Sequence, residues 1–180
     1  AIDEGGHVTL SGTFVDEDIA QTHEIEINWG DGSMSTVQSL GTAGTDASGN
    51  RTFGGITHTY GDDQAYTITV TIRETSGGTS LDVTDTVGVT VNNVDPDLTT
   101  DAPSILATEG VEVTHTGTYG DVPADTVTLS VSVGMITDNL DGTWTWTWTP
   151  SDGPDDSQTV TVTAVDEDGG LTTTNFDVTV

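Results

Sequence analysis

The sequence predicts an all-β chain built as two tandem antiparallel β-sandwiches. Three observations point there: residue usage dominated by Thr, Val, Gly and Asp, short alternating segments broken by turn signals, and an internal repeat. β-Branched side chains lose χ1 freedom in a helix and fit a pleated surface, and no window shows a helical apolar period.

The repeat sets the number of domains. Glu4-Gly5, Val8-Thr9, Gly12-Thr13, Phe14 and Asp16 recur in register as Glu109-Gly110, Val113-Thr114, Gly117-Thr118, Tyr119 and Asp121. Further on, Thr67-Ile68-Thr69-Val70-Thr71 with Gly77-Gly78 returns as Thr159-Val160-Thr161-Val162-Thr163 with Gly169-Gly170. Matched segments in the same order mean a tandem duplication. Between the copies, Asn92-Asn93-Val94-Asp95-Pro96-Asp97 ends strand pairing. The domains are therefore read as residues 1–94 and 95–180.

Within the first copy, residues 7–14 and 22–29 are expected to pair as strands, and residues 65–73 and 80–91 likewise. In the second copy, strands are expected over residues 112–119, 126–133, 143–149, 158–165 and 171–180. Gly30-Asp31-Gly32, Asp141-Gly142, Asp152-Gly153-Pro154 and Asp168-Gly169-Gly170 mark turns. Residues 41–55 read as a long glycine-rich loop. About seven short strands in about 90 residues, with no helix between them, is the pattern of an immunoglobulin-like sandwich.

Thirty acidic residues face two basic ones, Arg51 and Arg73, for a formal net charge of −28. Nucleic acid and anionic lipid both require a basic surface, so neither is an expected partner. Two carboxylates about 4 Å apart repel by about 4 kcal/mol at an effective dielectric near 20. Acidic groups gathered by folding must then protonate, separate or take up cations. The chain has no cysteine, which removes disulfides and thiolate chemistry. No apolar run approaches the roughly 20 residues that span a bilayer as a helix, so membrane insertion is not expected.

The first copy resembles a PKD domain over residues 1–94. The likeness is carried by Asn28-Trp29-Gly30-Asp31-Gly32, Thr57-His58-Thr59-Tyr60 and Tyr66-Thr67-Ile68-Thr69-Val70. It departs from that family at Arg73-Glu74-Thr75-Ser76-Gly77-Gly78, where an acidic Gly-ending turn is usual. The second copy is similar to the cadherin-like and immunoglobulin-like repeats of very large bacterial surface proteins. It carries Thr108-Glu109-Gly110, Asp141-Gly142-Thr143-Trp144, Thr149-Pro150 and Ala164-Val165-Asp166-Glu167-Asp168-Gly169-Gly170. The resemblance implies spacers, adhesion units or accessory domains of secreted enzymes, some of which bind Ca²⁺. An extracellular or cell-surface, bacterial location follows from the same likeness.

Carboxylates at one pole of each sandwich are the candidate chemistry. In the second copy the expected set is Glu109, Asp121, Asp125, Asp166 and Asp168, joined by Asp95, Asp97 or Asp101 from the linker. Ca²⁺ takes six to eight hard oxygen ligands, and alternation could turn Asp166 and Asp168 the same way. The matching set in the first copy is Glu4, Asp16, Asp18 and Glu74, weakened by Ser76 in place of an acid and by the nearby Arg73.

Trp144, Trp146 and Trp148 alternate with Thr and share a face. A sugar-binding platform is one reading; a core face for at least two of them is the favoured one. Trp29 is expected in the core, and Tyr66 suits a tyrosine corner that Gln158 lacks in the second copy. His7, His23, His58 and His115 have no zinc-helix spacing, and no Gly-x-Ser-x-Gly elbow is present. The expected function is thus a non-catalytic extracellular spacer or adhesion pair stabilised by Ca²⁺, its partners being neighbouring repeats and a surface glycan or protein. The alternative is a carbohydrate- or protein-binding accessory module of a secreted enzyme.

Overall fold

The computed structural model describes residues 1–16, 18, 20–41, 50–76 and 82–180. It contains two compact units, Ala1–Asn92 and Asn93–Val180. Among the described residues both are sandwiches of strands alone, and the chain is a tandem of immunoglobulin-like folds.

The first unit holds β1 (Ile2–Asp3), β2 (His7–Val15), β3 (His23–Asn28), β4 (Thr36–Leu40), β5 (Asn50–Thr59), β6 (Gln64–Glu74) and β7 (Val83–Asn92). One sheet has the order β1-β7-β6-β3-β4, and the other is the pair β2-β5. Alternation in β3 and β6 turns Ile25, Ile27, Ile68 and Val70 inward, where they pack with Trp29, Tyr60, Tyr66 and Val91. The period-two pattern of the sequence thus becomes a buried face.

Two sequence expectations are corrected here. Residues 7–14 do not pair with 22–29: β2 pairs with β5, and β3 pairs with β6 and β4. The sandwich puts β2 and β3 in opposite sheets, which nearest-neighbour reasoning from turn signals does not reveal. Residues 50–55 belong to β5 rather than to a loop, with Gly54 and Gly55 inside the strand beside a register shift at Leu10/Gly12. Residues 42–49 of that expected loop, the Gly77-Gly78 turn, and the first two residues of the strand expected from residue 80 lie outside the described residues.

The PKD-like residues form one network. Trp29, 1% exposed, stacks on His58 with centroids 4.6 Å apart. Asp31 Oδ2 lies 2.7 Å from His58 Nε2, and Tyr60 donates its hydroxyl proton to the Trp29 carbonyl at 2.9 Å. Gly30 sits at φ +86°, and a Cβ there would meet the Thr67 carbonyl oxygen at 2.5 Å. Only glycine fits that approach. Tyr66 donates to the Asp62 carbonyl at 2.9 Å, four residues upstream, so the expected tyrosine corner is present.

The second unit holds β8 (Asp97–Leu98), β9 (Ser104–Leu106), β10 (Val113–Gly120), β11 (Thr128–Val131), β12 (Met135–Asp138), β13 (Thr143–Trp148), β14 (Gln158–Val165) and β15 (Leu171–Thr179). Its sheets have the orders β12-β13-β10-β8 and β11-β14-β15-β9. Trp144, Trp146, Val160, Val162, Phe176 and Val178 make the core, with Trp148 packed against its margin. Two of the three alternating indoles are fully buried. Their N–H groups are satisfied by backbone carbonyls: Trp144 Nε1 donates to Thr99 and Trp146 Nε1 to Val133, at 3.1 and 2.6 Å.

Candidate metal centre

The acidic pole of the second unit is built by three chain segments. The β14–β15 turn brings Asp166, Glu167 and Asp168. The segment after β10 brings Asp121 and Asp125. The start of the unit brings Asn93, Asp95 and Asp97. The turn is held by Asp166, 6% exposed. Its Oδ1 accepts the backbone N–H of Asp168 at 2.9 Å and of Gly170 at 2.8 Å. Its Oδ2 accepts Asn93 Nδ2 at 3.0 Å. Gly170 is required at the centre of this arrangement: a Cβ would lie 2.2 Å from Asp166 Oδ2 and 2.8 Å from Asp95 Oδ1.

The electrostatics divide the carboxylates. Burial opposes ionisation of Asp166, but hydrogen bonds from Asn93 and from the Gly170, Gly169 and Asp168 N–H groups outweigh it and hold its carboxyl below the usual range. Asp121 moves the other way. Burial is the largest cause, and the charges of Asp166, Asp97 and Asp95 add to it against one hydrogen bond from the Val122 N–H. Asp121 Oδ2 is buried and accepts no hydrogen bond. Beside it, Asp125, Glu167 and Asp168 each offer one carboxylate oxygen, and the three oxygens lie within 4.8 Å of one another. Like charges this close are costly without a cation, and a donor set of carboxylate oxygens alone suits a hard divalent ion.

Of the expected residues, Asp95, Asp97, Asp121, Asp125, Asp166 and Asp168 come to this pole. Asp166 serves the turn rather than facing out beside Asp168, because the turn curls its side chain back over its own amides. Glu167, which lies between them and is not among the expected ligands, supplies an oxygen to the cluster instead. The sign that could have found it is the Gly169-Gly170 pair: a tight turn abandons strand alternation. Asp101 pairs with the Thr116 hydroxyl on β10 and stays out of the cluster.

Glu109 is a correction. It accepts the Gly153 N–H at 3.2 Å, and Gly110 N–H donates to the Pro150 carbonyl at 2.8 Å. β9 runs parallel to β15, with Ser104 opposite Asp177 and Leu106 opposite Thr179. The chain therefore delivers Glu109 to the end where β15 finishes, opposite the end where it starts.

The first unit repeats this separation. β1 runs parallel to β7 with Ile2 opposite Val91, and the Glu4 N–H donates to the Asn92 carbonyl at 3.0 Å. Glu4 thus sits at the far end from Asp16, Asp18 and Glu74. Asp16 Oδ2 is 2.9 Å from His23 Nε2, its Oδ1 accepts the Asp18 N–H, and the Asp18 carbonyl accepts from Arg51 at 3.4 Å. Arg73 pairs with Glu26 and Asp82 at 2.7 and 3.0 Å. The imidazole of His23 and the guanidinium groups of Arg51 and Arg73 thus already attend acidic and carbonyl groups of this unit.

No protein-family model and no curated protein matches the chain. Solved structures are similar over its whole length. The titin Z1Z2 domains in complex with telethonin share 16% identity at a TM-score of 0.47, covering 100% of this chain and 90% of that one. The titin A168–A169 pair shares 12% identity at a TM-score of 0.42, covering 99% and 92%. Immunoglobulin domains 1–5 of Sidekick-1 share 14% identity at a TM-score of 0.41, covering 99% of this chain and 36% of that chain.

Proposed function

We propose that the chain is a non-catalytic pair of spacer or adhesion modules from an extracellular bacterial surface protein, and that the second unit is stabilised by Ca²⁺ at its acidic pole. The observation that carries the calcium reading is the convergence of Asp125, Glu167 and Asp168 oxygens within 4.8 Å. It is supported by Asp121, whose carboxyl is pushed up by burial and by neighbouring carboxylates. A cation there cancels the repulsion and takes up oxygens from two otherwise separate chain segments, the one after β10 and the β14–β15 turn, which ties these loops together. The spacer reading is supported by the tandem sandwiches and by the PKD-like and cadherin-like residues; neighbouring repeats are its natural partners. Burial of Trp144 and Trp146 leaves a sugar platform on this strand without two of its three rings.

The test is thermal unfolding with increasing Ca²⁺ and with Mg²⁺ as control. Extracellular modules bind Ca²⁺ at about 10⁻⁴–10⁻³ M. At about 10 mM Ca²⁺ one such site adds roughly 1.4–2.7 kcal/mol. Asp125→Asn with Asp168→Asn removes the gain. An unchanged midpoint in Ca²⁺, or an equal rise with Mg²⁺, refutes the site.

A further inference from the structure

Arg51 and Arg73 are the two basic residues of a chain with thirty acidic ones, and the fold treats them in opposite ways. The Arg73 side chain is 40% exposed and pairs with Glu26 and Asp82. Arg51 is 3% exposed. It stands on β5 opposite Phe14 of β2 and two residues before Phe53, which packs against the core. Directly opposed residues of an antiparallel pair share a face, and alternation puts residues 51 and 53 on one side of β5. The Arg51 side chain is therefore turned to the inner face of the sandwich.

A guanidinium keeps its charge inside a protein and offers five N–H donors with no acceptor. Burying it without a counter-charge is strongly unfavourable. Arg51 Nη2 reaches the Asp18 carbonyl at 3.4 Å, longer than the roughly 2.7–2.9 Å of a charge-assisted bond. Its Nε and Nη1 are buried and have no hydrogen-bond partner among the described residues. Nor does any described carboxylate form an ion pair with it. The acids of the adjoining turn are engaged elsewhere. Asp16 Oδ2 lies 2.9 Å from His23 Nε2, and Asp16 Oδ1 accepts the Asp18 N–H at 2.9 Å. The Asp18 carboxylate accepts the Ala20 N–H at 3.2 Å. His23 in turn packs its ring against Phe14, with centroids 5.0 Å apart. The turn, Phe14 and Arg51 thus form one neighbourhood in which a positive charge lacks an acceptor.

We propose that Arg51 is the anchor of a buried binding site for one small monovalent anion, of which chloride is the representative. The class of ligand follows from the donors and the surroundings. Two partnerless N–H groups call for an acceptor, and one guanidinium charge calls for one negative charge. The net charge of −28 repels anions in proportion to their own charge, so phosphate and sulfate are disfavoured. Burial and the Phe14 ring favour a compact ion that sheds its water readily over a bulky one. An ion held there neutralises the buried charge and ties β5 to the turn after β2. The stability of the first unit then depends on which anion the medium supplies, beyond any effect of ionic strength.

The test is hydrogen exchange, read by peptide, with sodium chloride replaced stepwise by sodium isethionate at constant total sodium and without Ca²⁺. Constant sodium removes the general screening that any salt gives so acidic a chain. Exchange over residues 9–16 and 50–59 is expected to slow as chloride rises, by about tenfold where chloride reaches about ten times its dissociation constant. Residues 158–165 of the second unit serve as the internal control and should not respond. Bromide should act as chloride does. Arg51→Met abolishes the response, whereas Arg73→Gln keeps it. The second measurement is the nuclear magnetic resonance line width of chloride, broadened by the unsubstituted chain and by Arg73→Gln and restored by bromide; it carries the assignment even where Arg51→Met fails to fold. A change below about twofold up to about 1 M chloride overturns the proposal, as does a response that survives Arg51→Met or vanishes in Arg73→Gln. So does a chloride response that emerges only after Glu17→Gln or Asp46→Asn, two acids outside the described residues, since the counter-charge would then be the chain's own. The readouts lie in the first unit and exclude Ca²⁺, so their outcome is independent of the metal site.

Discussion

Asn93 and Asp166 are 73 residues apart in sequence and 3.0 Å apart in space, with the Asn93 amide donating to Asp166 Oδ2. This bond ties the first residue of the second unit to the turn between its last two strands. Because Asp166 is nearly buried and also accepts two turn amides, it joins the entry of the chain to the acidic pole.

Replacing either partner should loosen that pole. Hydrogen bonds to a charged group contribute about 1.5–3 kcal/mol, and Asn93→Ala is expected to cost about that much. The folded-state pKa of Asp166 is depressed, so its contribution is present above the ordinary value of 3.8 and is lost as pH falls through the depressed one. Denaturant unfolding across acid pH checks this: the difference between Asp166→Asn and the parent shrinks as the medium becomes more acidic.

Asp121→Asn has the opposite sign. Its folded-state pKa is raised, so the group favours folding when protonated, and that advantage is lost as pH rises through the raised value. Without Ca²⁺ at neutral pH, Asp121→Asn should stabilise the second unit by about 0.5–1.5 kcal/mol, the scale of one relieved charge contact with part of the hydrogen bonding kept. In saturating Ca²⁺ the same substitution should weaken the metal-dependent rise in midpoint. A stabilisation that ignored both pH and Ca²⁺ would disprove the repulsion account.

His115 predicts a second pH dependence. It is 6% exposed, lies 2.7 Å from the Thr100 hydroxyl and packs 4.3 Å from the Phe176 ring. Burial pushes its pKa below the ordinary 6.5, against a hydrogen bond to Ala102 and the charge of Asp101. The unfolded chain therefore binds the proton first. The second unit loses stability as pH drops from 6.5 toward the depressed value, and His115→Leu flattens that part of the profile. Tryptophan fluorescence reports it, since three of the four indoles, Trp144, Trp146 and Trp148, belong to this unit.

Gly117→Ala should be among the most damaging single methyl additions. The new Cβ would lie 2.1 Å from the Thr99 carbonyl oxygen and 2.4 Å from the Trp144 ring, and overpacking of this kind costs about 1–3 kcal/mol or more. Gly120→Ala, three residues on, meets nothing within 4 Å and should change stability by less than about 0.5 kcal/mol. Equal midpoints for the two variants would refute the close approach.

Much of the fold was legible before any coordinates. Alternation of Ile25 with Ile27 and of Trp144 with Trp146 has a local cause, the two-residue period of a strand, and so marks the inner faces directly. The repeat of Glu4–Asp16 in Glu109–Asp121 marks the tandem for the same reason: identical local chemistry recurs in order. Tyr66 and its carbonyl partner Asp62 are four residues apart, within reach of sequence reasoning.

The partners that stand far apart in the chain were decided only by the tertiary structure. Residues 121, 125 and 166–168 share a pole because they sit in loops at one end of a sandwich. Within its own unit, each of Glu4 and Glu109 is carried to the end where the last strand finishes, because β1 and β9 run parallel to the strands they join. Strand direction and the choice of sheet come from long-range hydrogen bonding and burial, which no local pattern encodes. Residue type supplied the carboxylates, and topology chose which of them meet.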